Sequence, residues 1–242
     1  MLPKKLLLAL TVLCLALGAT RPGIAAEAPP ATEAPAKPSK YADAVAELAA
    51  KPAPAPGSIL MIGSSIFRKW ATVAQDLAPL PITNRAFGGS RTADQLTFFD
   101  QLVPSSRAAL VVWYCGSNDV NSKKKPPEIL QNTRDWIAKT RAALPNVRIV
   151  LTSVIRAPQK REEGYLAQVD DINKRLLALA AGTADLTYVD FNPALETAAG
   201  EPVIECYVSD KLHMSPEGYR RMTSVLLPVL KARWKAPVKA AH

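Results

Sequence analysis

Short apolar runs alternate with helical patterns along most of this chain, from residue 58 to residue 232. The runs that are long enough for buried strands are 58–62, 81–86, 108–115, 147–154 and 186–190. Helical patterns are predicted at 92–102, 126–144, 162–182 and 215–232. Apolar strands that are each followed by a helix favour a parallel sheet covered on both faces. The sequence therefore predicts a doubly wound α/β fold with a five-stranded parallel sheet.

The first part of the chain has the composition of an export signal. A basic start is followed by an apolar run over residues 6–19, and small residues come after it. This run has 14 residues, fewer than the roughly 20 that a helix needs to cross a bilayer. Residues 1–26 are therefore predicted to be a secretory signal peptide. The mature protein is expected to be periplasmic or secreted, with no stable membrane span.

The next segment, residues 27–56, is dominated by Ala, Pro and Glu, which cannot bury much apolar surface. It is predicted to be an extended tether that contains one short helix, which starts at Tyr41 and is capped by Ser39. The folded domain is expected to cover residues 57–236, and residues 237–242 are predicted to be a basic tail.

Composition excludes several classes of partner. The formal charge is +9, but no basic stripe interleaved with aromatic residues occurs, so nucleic acid is not expected as a partner. No Cys/His cluster, HExxH motif or glycine-rich phosphate loop is present, so neither a metal nor another cofactor is predicted. The mature chain would keep Cys115 and Cys206. The favoured interpretation is that both are buried free thiols. A disulfide between them is the alternative, since an oxidising compartment permits one.

Polar residues cluster where the predicted strands end. The clusters are Gly63-Ser64-Ser65, Gly88-Gly89-Ser90 and Gly116-Ser117-Asn118-Asp119 after the first three strands, and Ser209-Asp210-Lys211-Leu212-His213 before the last helix. The carboxyl ends of parallel strands meet at one edge of a sheet, where ligands bind in doubly wound folds. The clusters are therefore expected to converge.

His213 sharply limits the chemistry. The chain has two histidines, and the other one, His242, is the last residue, so an imidazole base would have to be His213. Asp210 lies three residues earlier and could orient the ring beside a serine nucleophile. The candidate serines are Ser64, Ser65, Ser90, Ser117 and Ser209. The GxSxG pattern of conventional α/β-hydrolases is absent.

In order and spacing, the four clusters resemble the motif blocks of the SGNH hydrolases, also called the GDSL lipase/esterase family. The resemblance extends from Ser58 to about Leu230 and implies a flavodoxin-like, SGNH-type hydrolase domain with helices on both faces of the sheet. Block one reads GSS, because Ser64 stands where the family commonly has Asp. This difference is expected to alter how the turn after the first strand is held.

The resemblance also implies residue roles. Ser65 corresponds to the nucleophile, and Asp210 and His213 correspond to the acid and base. The oxyanion hole would be formed by the backbone N–H groups of Ser65 and Gly89 and the side-chain amide of Asn118. Four further residues could either line a substrate groove or be ordinary surface residues: Arg68, Trp70, Arg85 and Arg91.

Together with export, the resemblance implies a serine esterase that works through an acyl-serine intermediate. Its expected substrates are short-chain or O-acetyl esters of envelope glycans, or lysophospholipids. An O-acyltransferase with the same triad and a catalytically silent glycan-binding module stay open as alternatives. A flavin-binding protein is disfavoured because it would not need Asp210 or His213. The sequence does not indicate an oligomeric state.

Overall fold

The computed structural model describes residues 39–234 of the chain. The predicted signal peptide, the first part of the tether and the basic tail lie outside the described residues. The strands are β1 (Ile59–Gly63), β2 (Ile82–Asn84), β3 (Leu110–Tyr114), β4 (Arg148–Thr152) and β5 (Leu186–Val189).

These strands form one sheet in the order β2-β1-β3-β4-β5, and every neighbouring pair is parallel. This confirms the predicted five-stranded doubly wound fold. Strand β2 pairs with one edge of β1, and the chain then crosses back so that β3 pairs with the other edge of β1. The connections that leave β1 and β3 therefore diverge, and a crevice opens at the carboxyl edge between them.

The helices are α1 (Ala42–Ala50), α2 (Ser65–Arg68), α3 (Val73–Asp76), α4 (Thr92–Thr97), α5 (Phe99–Leu102), α6 (Ser117–Asn121), α7 (Pro126–Ala143), α8 (Pro158–Glu162), α9 (Leu166–Ala181), α10 (Asn192–Leu195) and α11 (Pro216–Arg233). Two of the predicted helices differ in extent from the observed ones. The helix predicted over 92–102 breaks at Phe98, whose ring packs edge-on against Phe87. The helix predicted over 162–182 begins only at Leu166, because Gly164 has a positive φ of 75° and ends the preceding turn.

Two apolar layers cover the sheet, one on each face. Alternate residues of β1 face opposite layers: Leu60 and Ile62 pack with α1, α5, α7 and α9, whereas Ile59 and Met61 pack with α2 and α11. Both sets are buried, which explains why the strand is apolar throughout. Within residues 39–234, no helix is long and apolar enough to cross a membrane.

The two cysteines belong to opposite layers. Cys115 lies in the layer that contains α7, Cys206 lies in the layer that contains α11, and the sheet separates the two layers. Both are buried and free, which confirms the favoured interpretation. Trp113 and Tyr114 on β3 are also buried, as their position in an apolar strand predicts.

Helix α1 packs onto the domain rather than standing free in the tether. It begins after Tyr41, and the side chains of Tyr41 and Val45 are both buried. The Tyr41 ring contacts Phe87 edge-on, with ring centroids 5.4 Å apart, and it contacts Phe98 in the same manner. The helix therefore contributes to the core and lies next to the loop that follows β2.

Candidate active site

Gly63 makes the sharp turn at the end of β1. Its φ is +141°, and a Cβ at this position would lie 1.9 Å from the carbonyl oxygen of Tyr114 on β3. Only glycine fits this backbone conformation and this close approach. The next N–H, that of Ser64, donates to the same Tyr114 oxygen at 3.0 Å, and Ser65 then begins α2. The Ser65 side chain lines a cleft of about 510 Å³.

The loop before α11 brings a histidine and a carboxylate to this serine. His213 Nε2 lies 2.9 Å from Ser65 Oγ, and His213 Nδ1 lies 2.6 Å from Asp210 Oδ2. A ring protonated at Nδ1 donates to Asp210 and leaves Nε2 to accept the Ser65 proton. The structure therefore brings together the three residues that the sequence predicts as a triad.

Backbone contacts hold Asp210 in its role. Its Oδ1 accepts the N–H groups of Leu212 at 3.0 Å and His213 at 2.9 Å, across a turn in which Lys211 has a left-handed φ of 58°. Partial burial by itself raises the pKa of Asp210. The backbone N–H groups and the imidazole outweigh this effect and lower the pKa to about 2. The carboxylate therefore stays charged and can keep the ring oriented.

The start of α11 anchors the same loop. Ser215 is the N-cap residue, and its Oγ accepts the Gly218 N–H at 3.2 Å. Tyr207 and Met214 form an antiparallel bridge across the base of the loop. The segment that carries Asp210 and His213 is thus fixed at both ends.

Two free backbone donors belong to residues that line the cleft. Within the part of the chain that the structure describes, the N–H groups of Ser65 and Gly89 have no hydrogen-bond acceptor. Gly89 has a φ of +79° and lines the cleft with Gly88, Ser65 and His213. N–H groups in this arrangement can receive negative charge that develops on a substrate oxygen.

Asn118 also lines the cleft, but its amide is already engaged. Its Nδ2 donates to Ser64 Oγ at 2.7 Å and to the carbonyl oxygen of Ser90 at 3.0 Å. An amide nitrogen carries two hydrogens, so donation to a substrate would require one of these bonds to be exchanged. Ser64 is buried and accepts from Asn118, so its hydroxyl connects the turn after β1 with α6.

Tyr41 is a site residue that sequence reasoning missed. Its hydroxyl donates to the carbonyl oxygen of Gly89 at 2.7 Å, and it lines the cleft together with Lys40 and Ala44. The available signal was weak: one aromatic residue at the start of an Ala-rich helix, inside a segment of tether composition. The contact holds the carbonyl of Gly89, the residue whose own N–H is one of the two free donors.

Replacing Tyr41 with Phe should test this contact. The variant keeps the packed ring and loses one hydrogen bond to Gly89, which is worth about 1 kcal/mol. If the site works as proposed below, kcat should fall about five- to tenfold with little change in KM. Steady-state kinetics on p-nitrophenyl acetate measure this effect. Tyr165→Phe is the control, because Tyr165 packs against the apolar core and is not among the residues that line the cleft. Equal kcat values for the two variants would contradict the prediction.

The other candidates have structural contacts. Trp70 is buried, donates to Asp76 Oδ2 at 2.6 Å and stacks on Tyr219 with centroids 5.0 Å apart. Arg85 is buried and donates to the Leu102 carbonyl oxygen, while Arg91 pairs with Asp94.

Ser90 is buried and donates to the carbonyl oxygen of Phe87 at 2.9 Å. Of the four open residues, Arg68 is the one that lines the cleft with Ser65. The described residues contain no group of three or more His, Cys, Asp or Glu side chains that could hold a metal ion.

Comparisons with known proteins agree with this arrangement. The model of the GDSL-like lipase/acylhydrolase family matches residues 61–221. A GDSL-like lipase from Bacteroides thetaiotaomicron has a similar structure: TM-score 0.66, 22% identity, and 79% of this chain and 96% of that chain covered. A Bacteroides fragilis protein assigned as an acylhydrolase has a TM-score of 0.68 and 21% identity, with 81% of this chain and 96% of that chain covered.

A family 3 carbohydrate esterase from Talaromyces cellulolyticus gives a TM-score of 0.59 and 15% identity, with 73% of this chain and 97% of that chain covered. At these identities the three structural matches show a common fold and no more. No curated protein sequence matches the chain.

Proposed function

Because the chain belongs to the GDSL-like lipase/acylhydrolase family, we propose that it is a serine esterase that hydrolyses carboxylic esters through an acyl-serine intermediate. The observation that carries the proposal is the continuous hydrogen-bonded series Ser65–His213–Asp210 in a cleft that also presents the N–H groups of Ser65 and Gly89. A silent binding module would have no use for this series.

The first half of the reaction transfers the acyl group to Ser65. A serine hydroxyl is a weak nucleophile until a base takes its proton, and His213 Nε2 is within hydrogen-bond distance to do so. As Oγ attacks the carbonyl carbon, negative charge develops on the carbonyl oxygen and is met by the N–H groups of Ser65 and Gly89. The tetrahedral intermediate then collapses, and the departing alcohol takes the proton from His213.

The second half returns the enzyme to its starting state. Water attacks the acyl-serine carbonyl while His213 accepts its proton, and the carboxylic acid leaves as Ser65 is reprotonated. Asp210 stabilises the imidazolium that forms in each half. Asn118 would add a third donor to the oxyanion after it exchanges one of its present partners. One such donor typically lowers the barrier by about 3–4 kcal/mol.

The proposal extends to location and substrate. The predicted signal over residues 1–26 supports export to the periplasm or the medium. Short-chain or O-acetyl esters of envelope glycans, or lysophospholipids, are the proposed substrates. An O-acyltransferase with the same triad would instead pass the acyl group to a sugar acceptor, and product analysis with an acceptor present separates the two.

Active-site titration tests the proposal. The full chain is treated with a fluorophosphonate probe, and the labelled peptide is identified by mass spectrometry; turnover is followed on p-nitrophenyl acetate and octanoate. The expected result is stoichiometric labelling at Ser65, which is lost in Ser65→Ala and persists in Ser64→Ala. Labelling at another serine, or a folded wild type with neither labelling nor turnover, would contradict the proposal.

A further inference from the structure

The cleft above Ser65 has cationic walls. Lys40, Arg68 and Lys69 line it with His213 and neutral residues, and no Asp or Glu side chain of the described residues lines it. Arg68 and Lys69 also line an adjoining groove of about 800 Å³, which contains Lys51 and a single carboxylate, that of Glu47. The positive charge therefore extends from the reactive serine along the surface next to α1.

These cations are not neutralised by neighbours. Within residues 39–234, none of Lys40, Lys51, Arg68 and Lys69 forms an ion pair. Elsewhere on the domain, the arginines at positions 91, 141, 156, 161, 175, 220 and 221 each pair with a carboxylate, whereas those at 107, 134, 148 and 233 form no ion pair within the described residues. A group of cations without counter-charge around one cleft leaves their donors available to a ligand.

The side chain of Arg68 approaches the backbone of Gly88 closely. It lies three residues after Ser65 on α2, and residues at this spacing are neighbours on a helix surface. Its Cδ lies 3.1 Å from the position that a Cβ of Gly88 would occupy, and its Nε and Nη1 lie 3.8 Å from that position. The side chain therefore crosses the bare backbone of Gly88, next to the Gly89 donor. The missing side chain at residue 88 makes room for Arg68.

The chemistry of these groups points to an anionic substrate. Guanidinium donates in a planar fork that matches carboxylate and phosphate, and such charge-assisted bonds are about twice as strong as neutral ones. We propose that the cleft selects esters that carry an oxyanion, such as a carboxylate or phosphate, close to the reacting carbonyl. Arg68 is the specificity-determining residue, and Lys40 and Lys69 add to the field. This inference rests on the esterase function proposed above and names its substrate class.

Matched ester pairs test the selection. On the acyl side, mono-p-nitrophenyl adipate is compared with its methyl ester; on the alcohol side, p-acetoxyphenylacetate is compared with its methyl ester. For at least one pair, kcat/KM of the anionic ester should exceed that of the neutral ester by about tenfold or more. The preference should shrink as salt is added, because exposed charges are screened. The pair that shows it identifies the side of the ester that carries the charge.

Variants locate the preference. Arg68→Gln should reduce the anionic-to-neutral ratio of kcat/KM to near one. Arg134→Gln should leave the ratio unchanged, because Arg134 is exposed on α7, outside the residues that line the cleft. If the neutral esters are turned over with no preference for the anionic ones, or if the preference survives in Arg68→Gln, the proposed selection is wrong and the esterase function still stands. If a folded protein turns over none of the four esters, the esterase function fails and the selection fails with it.

Discussion

Replacing Asp210 with Asn should lower kcat about 10⁴-fold, the loss typical of a triad whose histidine is held in the wrong tautomer. The Asn Oδ1 can still accept the N–H groups of Leu212 and His213, so the turn is expected to persist. The amide nitrogen, however, would face the Nδ1–H of His213, which forces the ring to carry its proton on Nε2. A ring protonated there cannot accept the proton of Ser65.

The measurement is kcat on p-nitrophenyl acetate, with circular dichroism as the check on folding. Asp135→Asn is the matched control, because it removes an exposed carboxylate on α7 that accepts from Gln131 and has no contact with the triad. The low pKa of Asp210, about 2, keeps the wild-type carboxylate ionised through the neutral and mildly acidic range. The loss in Asp210→Asn should therefore extend across that range. A kcat within tenfold of wild type would contradict the prediction.

Replacing Gly63 with Ala should destabilise the protein by about 4 kcal/mol or more, or prevent folding altogether. The new Cβ would meet the carbonyl oxygen of Tyr114 at 1.9 Å. That atom belongs to the backbone of a central strand, and Gly63 and Tyr114 are partners in the β1–β3 register. Neither strand can move without losing sheet hydrogen bonds, so the clash can be relieved only at a large cost in stability.

Urea denaturation gives the free energy of unfolding of the variant. Gly200→Ala is the control: φ is +77° there, but no atom lies within 4 Å of an added Cβ. In that variant, the free energy of unfolding should fall only by the cost of the left-handed backbone conformation, about 1–2 kcal/mol. Comparable losses in the two variants would show that φ alone, and not the approach of β3, requires glycine at residue 63.

The elements that the sequence predicted best depend on local pattern. The apolar runs at 58–62 and 108–115 became β1 and β3, because a strand buried on both faces must be apolar along its whole length. The convergence of Ser65, Gly89, Asn118 and His213 followed from the same premise, since parallel strands end at one edge. His213 needed no geometry at all, because the chain offers no other internal histidine.

The features that the sequence did not predict depend on contacts between distant residues. The bond from Tyr41 to Gly89 joins positions 48 apart, and the bond from Asn118 to Ser64 joins positions 54 apart. Neither contact produces a periodic pattern in the sequence. The segment around Tyr41 has the composition of a tether, and only its docking beside Phe87 places it in the site.

The cations around the cleft illustrate the same division. Arg68, Arg85 and Arg91 are equivalent in the sequence, because each lies within three residues of a motif glycine or serine. Folding buries Arg85 and pairs Arg91 with Asp94, while Arg68 crosses Gly88 into the cleft. Backbone periodicity can place an element and the end of a strand. The neighbours of a long side chain are set by which elements pack together, and that packing exists only in the tertiary structure.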